Sequence, residues 1–120
     1  MTENEMSGNI GTIHAEDGFA PAAAAEGGSG GSWRRTIWTD DGRTRTIVAV
    51  WKAEPGKYVY PPRALEETFV VCEGEANCSL GGAPAEHIAV GSIVRVPEGV
   101  PITLEVLAPF RKLATVVPRD

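Results

Sequence analysis

The sequence predicts an all-β, single-domain protein folded as a sandwich or barrel, and three observations carry that expectation. Short runs rich in β-branched and aromatic residues recur at similar spacing from Trp33 onward; breakers containing glycine or proline separate them; and no stretch has a convincing 3.6-residue apolar period. A chain of 120 residues is long enough for one buried core and too short for two.

The elements follow in chain order. Residues 1–32 form an N-terminal arm, with the alanine run Ala22 to Ala25, the stretch "EGGSGGS" and few large apolar side chains. Such a segment cannot offset its ordering entropy alone, so it is either a flexible tail or docked on the barrel or on a partner. Phe19, in "HAEDGFAPA", is its expected anchor.

Residues 33–120 hold the strands. "WRRTIWT" and "RTRTIVAVWKA" flank "DDGR", an Asp-Gly hairpin signal, and "EPG" at Glu54 to Gly56 turns the chain again. Further strands are expected at Thr68–Glu73, Glu75–Leu80, Glu86–Val90, Ile93–Val96, Ile102–Leu107 and Arg111–Val117. Cys72 and Cys78 flank Gly74, and a two-residue hairpin loop there would put them on opposite faces, so no disulfide is expected.

Composition removes whole classes of function. The net charge of -5, from 11 Lys+Arg and 16 Asp+Glu with no basic run, lacks the footprint of a nucleic-acid binder. No apolar window approaches the length of a membrane span, and the start "MTENEMSGN" lacks signal-peptide character, so the expectation is a cytoplasmic protein with no membrane partner.

Glycine and proline spacing is more specific. Glu67 is followed after six residues by Gly74, Gly91 after five by Pro97 and then Gly99, with Gly56 upstream. This resembles the two motifs of the cupins. "VWKAEPGKY", "LEVLAPFRKLATVV" and the lead-in "SGGSWRRTIWTDDGRTRTIVAVW" look like the subgroup of ureidoglycine aminohydrolase and the ethanolamine-utilisation cupins, from roughly Phe19 to Val117. The resemblance implies a double-stranded β-helix, or jelly-roll, barrel with a central pocket, assembled as a homodimer.

The resemblance also implies metal ligands that this sequence replaces. The His-x-His region reads "YPPRA", giving Pro61 and Arg63 or Pro62 and Ala64; the second-motif histidine falls on Ile102 and a later asparagine on Val106. Glu67 alone remains, whereas a divalent transition metal needs about three or four converging ligands. The expectation is therefore no metal and no cofactor.

With Glu67 pointing inward, alternation puts Phe69 and Val71 on its face, opposite Ile102, Leu104 and Val106. Tyr58, Tyr60, Arg63 and Glu67 supply the polar half. The candidate ligand-binding set is thus Tyr58, Tyr60, Arg63, Glu67, Phe69, Ile102 and Leu104, with Glu67 also the candidate catalytic residue if burial raises its pKa and Arg63 does not oppose that. One reading has Arg63 clamping a ligand carboxylate; the other has Arg63 and Glu67 neutralising each other in a filled lumen. His87 and His14 read as surface histidines, Trp33, Trp38 and Trp51 as core or dimer contacts, and Arg111 and Lys112 as solvated edge charges.

Three functions remain: a metal-independent cupin binding a small organic, carboxylate-bearing ligand; a metal-dependent enzyme of the ureidoglycine aminohydrolase type acting on a small polar nitrogen compound; and a structural dimeric subunit with a filled core.

Overall fold

The computed structural model describes residues 10–22, 31–40 and 42–119. Among them the chain forms ten strands and no helix: β1 (Ala20–Pro21), β2 (Ser32–Thr39), β3 (Ile47–Ala53), β4 (Gly56–Tyr60), β5 (Leu65–Glu73), β6 (Glu75–Leu80), β7 (Glu86–Ala89), β8 (Ile93–Val96), β9 (Ile102–Val106) and β10 (Phe110–Pro118). Asp41, in the expected Asp-Gly turn, lies outside the described residues, as do residues 1–9 and residues 23–30 with most of the alanine run.

Two antiparallel sheets, in the orders β1-β2-β3-β10-β5-β8 and β4-β9-β6-β7, face each other as a jelly roll. Alternation decides what they bury. Glu67, Phe69 and Val71 of β5 and Ile102, Leu104 and Val106 of β9 point inward, while Thr68, Thr103 and Glu105 point away from the core. The aromatic centre is Trp51, whose ring meets those of Tyr58, Phe110 and Tyr60 edge-on at 5.4, 6.0 and 6.5 Å.

Gly74 does not close a hairpin. It is a one-residue corner at which the chain leaves β5 in one sheet and enters β6 in the other, so these neighbouring strands are not paired. A two-residue loop would have kept them side by side; the left-handed φ of 80° at Gly74 turns the chain across the barrel instead. Cys72 is half-buried on β5, Cys78 is buried on β6, and both thiols are free.

The β2–β3 connection is also longer than its dipeptide signal suggests. It spans residues 40–46, organised by the Asp40 carboxylate, which accepts from the Thr44 hydroxyl at 2.9 Å and the Gly42 amide at 3.2 Å. Two strands, β1 and β4, are not among those the sequence predicts; β4 starts at Gly56, the last residue of the expected "EPG" turn.

From Thr12 to Phe19 the arm lies on the outer face of the six-stranded sheet, and β1 then joins that sheet at its edge. Arg111 donates to the Ile13 carbonyl at 2.6 Å and to Glu16 at 2.7 Å, Lys52 reaches Glu16 at 3.0 Å, and Arg35 donates to the Thr12 carbonyl. Phe19 is ringed by cations, with Lys52 Nζ 4.3 Å, Arg35 5.5 Å and Arg111 5.6 Å from its centroid. Phe19→Ala is expected to raise amide hydrogen exchange across residues 10–22 by about tenfold and leave the barrel strands unchanged. Unchanged exchange in the arm would remove Phe19 as its anchor.

Arg111 is therefore not a solvated edge charge, and neither is Lys112: they are 5% and 6% exposed. The physical reason is that β10 is not an edge strand but lies between β3 and β5. Arg111 is covered by the arm on the outer face, and Lys112 points into the barrel. A bulge at this point of the β5–β10 pairing puts Arg111 opposite Glu73 and Lys112 opposite Val71, so Glu73 also faces outward, 3.4 Å from Arg111.

Candidate functional site

A cavity of about 590 Å³ opens on the inner face of the six-stranded sheet. Its apolar floor is Ile47 and Ala49 of β3, Ala114 and Val116 of β10, and Leu65 of β5; Ala20 to Ala22 of the arm close one side. Small alanines at facing positions on β3 and β10, which pair Ala49 with Ala114, leave the space that larger side chains would fill.

The polar lining is Arg34, Thr36, Trp51, Tyr60, Arg63, Glu67 and Lys112. Glu67 is only 4% exposed, and each of its carboxylate oxygens is taken by a different cation. Arg63 Nη2 donates to Oε1 at 2.9 Å and Lys112 Nζ donates to Oε2 at 2.6 Å. Lys112 Nζ also sits 4.1 Å from the centroid of the Phe69 ring and 5.1 Å from that of Trp51, and Arg63 lies over the Tyr60 ring at 5.6 Å.

Burial alone pushes the Glu67 carboxyl up. The charge and hydrogen bond of Lys112, followed by those of Arg63, outweigh it and hold the group below its ordinary value. The raised pKa that a general acid or base would use is absent, because sequence reasoning had one cation beside this carboxylate and the fold supplies two. Burial pushes the Tyr60 phenol up, so it stays protonated at neutral pH.

The structure divides the residues singled out from sequence. Tyr60, Arg63 and Glu67 line the cavity. Tyr58, Phe69, Ile102 and Leu104 do not: each is at most 2% exposed within the packed core between the sheets. Tyr58 is a core tether, its hydroxyl 2.7 Å from the Glu54 carbonyl and 3.0 Å from that of Gly31. His87 lies on β7, half exposed, 3.7 Å from Glu75, and His14 is an exposed arm residue.

Lys112, Trp51, Arg34 and Thr36 are the polar lining residues that sequence reasoning missed as ligand contacts, and it missed the floor of β3 and β10 as well. A signal for Lys112 existed: in "FRKLA", the alternation that buries Phe110 and Ala114 puts Lys112 on the same face.

The donor set can be tested against the metal site that the sequence resemblance implies. Pro61, Pro62 and Ala64 are exposed and offer no side-chain donor, and Ile102 and Val106 are apolar and packed. The Cys78 thiol is pushed up by burial, away from the thiolate a metal needs. Among the described residues no group of three His, Cys, Asp or Glu side chains is placed to hold an ion. The decisive contact is the Lys112 ammonium, which occupies one oxygen of the single inward carboxylate and would repel a second cation. These residues do not fit a metal.

Comparison with known proteins gives a consistent frame. A family model described as EutQ-like cupin domain matches residues 39–114. Among solved structures, the chain resembles the Schizosaccharomyces pombe Cnp3 cupin domain, at 14% identity and a TM-score of 0.64 over 72% of this chain and 64% of that one. It resembles a predicted oxalate decarboxylase from Thermotoga maritima, at 15% identity and a TM-score of 0.72 over 89% of this chain and 98% of that one. It also resembles a putative ethanolamine utilization protein Q from Salmonella typhimurium, at 13% identity and a TM-score of 0.67 over 92% and 100%. Identities this low carry the fold and no chemistry. No match was found among proteins of curated function.

Proposed function

The chain belongs to the EutQ-like cupin domain family, and from that premise we propose that it binds a small organic molecule in its barrel cavity without the help of a metal ion. The observation that carries this reading is the position of Lys112. Its ammonium is 2.6 Å from the one inward carboxylate, so a fixed, covalently attached cation stands against Glu67. An ammonium can orient and neutralise a charge, but it offers no open coordination position for activating water or polarising a bound carbonyl.

Binding rather than catalysis follows from the state of Glu67. Both of its oxygens are engaged, and its carboxyl is held ionised below the ordinary range, which suits a structural counter-charge and not a proton carrier at neutral pH. A purely structural subunit would have a filled lumen; a cavity of about 590 Å³, within the size range of small-molecule sites, weighs against it. What separates the proposal from the metal-dependent enzyme is the donor set, not the fold, which hosts many chemistries.

Elemental analysis by inductively coupled plasma mass spectrometry on untagged protein, before and after incubation with Mn, Zn, Fe and Ni, tests the proposal. The expected occupancy is far below one metal per chain in both states. Occupancy near one per chain would overturn it and restore the enzyme reading.

A further inference from the structure

Among its described residues the cavity has donors to spare and no free carboxylate. Trp51 is 7% exposed and lines the cavity, yet its buried indole Nε1 makes no hydrogen bond of good geometry among the described residues, the Tyr60 hydroxyl being only a poorly aligned neighbour. Buried donors are rarely left poorly met, and an indole N–H can only donate, so a better partner for it would be a ligand acceptor. Arg63 Nε is likewise buried and unpartnered, although the same guanidinium serves Glu67 through Nη2.

Charge points the same way. Among the described lining residues, three cations, Arg34, Arg63 and Lys112, face one carboxylate, Glu67. Arg63 and Lys112 are both committed to that carboxylate. Arg34, exposed at the cavity's edge, makes no ion pair with any described residue, so among these residues its guanidinium is uncommitted. A cationic or purely donating ligand would meet this surplus positive charge and find both Glu67 oxygens occupied. The floor of Ile47, Ala49, Ala114 and Val116 is apolar and offers nothing to a fully hydrated ion.

We infer that the cavity is a site for a small organic carboxylate, its charged end taken by Arg34 and the Trp51 indole N–H, its apolar body lying on Ala49, Ala114 and Val116. The inference rests on the ligand-binding reading above and specifies its chemistry. It also reassigns the anion contact, since the arginine that the sequence suggested for that role, Arg63, is held by Glu67.

The test is a titration of uniformly ¹⁵N-labelled full-length protein with hexanoate and benzoate, and in parallel with hexanamide and benzamide, neutral molecules of nearly the same shape. The readout is the indole N–H resonance of Trp51, one of three tryptophans. It is assigned by its loss in Trp51→Phe or, should that variant not fold, by through-space contact with the Tyr58 ring, whose centroid is 5.4 Å away.

The expected result is a saturable shift of that resonance by the acids, binding of the amides at least about tenfold weaker, and an approximately tenfold loss of acid affinity in Arg34→Gln with a clearly smaller loss for the amides. Amides binding as tightly as acids would overturn the carboxylate inference and leave the ligand-binding reading standing. If neither class moves Trp51 while other cavity residues shift, the proposed contact is wrong. If nothing in the cavity responds, the carboxylate inference fails for these probes, and a flat response to a broader set of neutral small molecules would take the ligand-binding reading with it.

Discussion

Lys112→Met is expected to destabilise the protein by about 3 kcal/mol at neutral pH, because it strands a carboxylate with too little compensation inside the barrel. Glu67 is 4% exposed, and Lys112 provides the larger share of what keeps it ionised there. Methionine matches the length of the lysine stem and its contact with Phe69, so the loss reports the charge more than the packing. Glu67→Gln is expected to cost a similar amount by leaving two cations facing each other. The double variant Lys112→Met/Glu67→Gln should lose clearly less than the sum of the two, by about 1–3 kcal/mol, as coupled groups do.

The pH dependence has a defined sign. The folded-state pKa of Glu67 lies below its ordinary value of 4.5, so its contribution to stability is present above that value and is lost as pH falls through it toward the depressed folded pKa. The penalty of Lys112→Met should therefore be largest at neutral pH and shrink below about pH 4.5. Urea unfolding of wild type and variant at pH 7 and at pH 4 checks this. An equal penalty at both would show that Lys112 acts by packing alone. Carboxylates away from the cavity, the exposed Glu16 and the half-buried Glu66, are also held low by cationic partners, affect both proteins alike and cancel in the difference.

Gly74→Ala should be at least as damaging: a loss of about 3 kcal/mol or more, seen as a melting temperature lower by about 15 °C or as failure to yield folded protein. Two effects combine. The residue has φ of 80°, a region that side chains rarely adopt, and an added Cβ would lie 2.2 Å from the Pro109 carbonyl oxygen, 2.9 Å from its carbon and 3.0 Å from Phe110 Cα. All three atoms are backbone, at the start of β10, and cannot step aside without moving the strand that carries Lys112.

Gly91→Ala is the control. That glycine has φ of 94°, but nothing lies within 4 Å of its added Cβ, so only the conformational penalty of about 1 kcal/mol applies. Equal losses at the two positions would show that the close approach of the corner to Pro109 does not constrain the fold.

Much of the architecture was legible because strand alternation is a local property. The period of two in "EETFVV" and "ITLEV" named the inward faces of β5 and β9, and the turn residues marked most strand ends. The two-residue hairpin loop considered at Gly74 failed for a physical reason. A glycine between two strands signals a reversal or a corner equally well, and only the partner strands, β8 and β10 for β5 and β7 and β9 for β6, distinguish the two.

The candidate site was legible only in outline. Tyr58 and Tyr60 are two residues apart on one strand and share a face, yet Tyr58 is sealed between the sheets while Tyr60 reaches the cavity. Alternation says which face a side chain takes and nothing about whether that face meets another sheet or open space.

The sequence by itself determined the all-β class, the jelly-roll punctuation, the family likeness and the inward face of β5 that carries Glu67, since each is written in residues close together along the chain. Only the tertiary structure decided that β10 is central, that Lys112, 45 residues from Glu67, is its closest partner, and that Arg34 and the Trp51 indole N–H share a cavity with them. The reason is that a charge pair or a cavity is a relation between strands distant in sequence, set by sheet order and register, and a local pattern constrains a strand's faces without naming its neighbours.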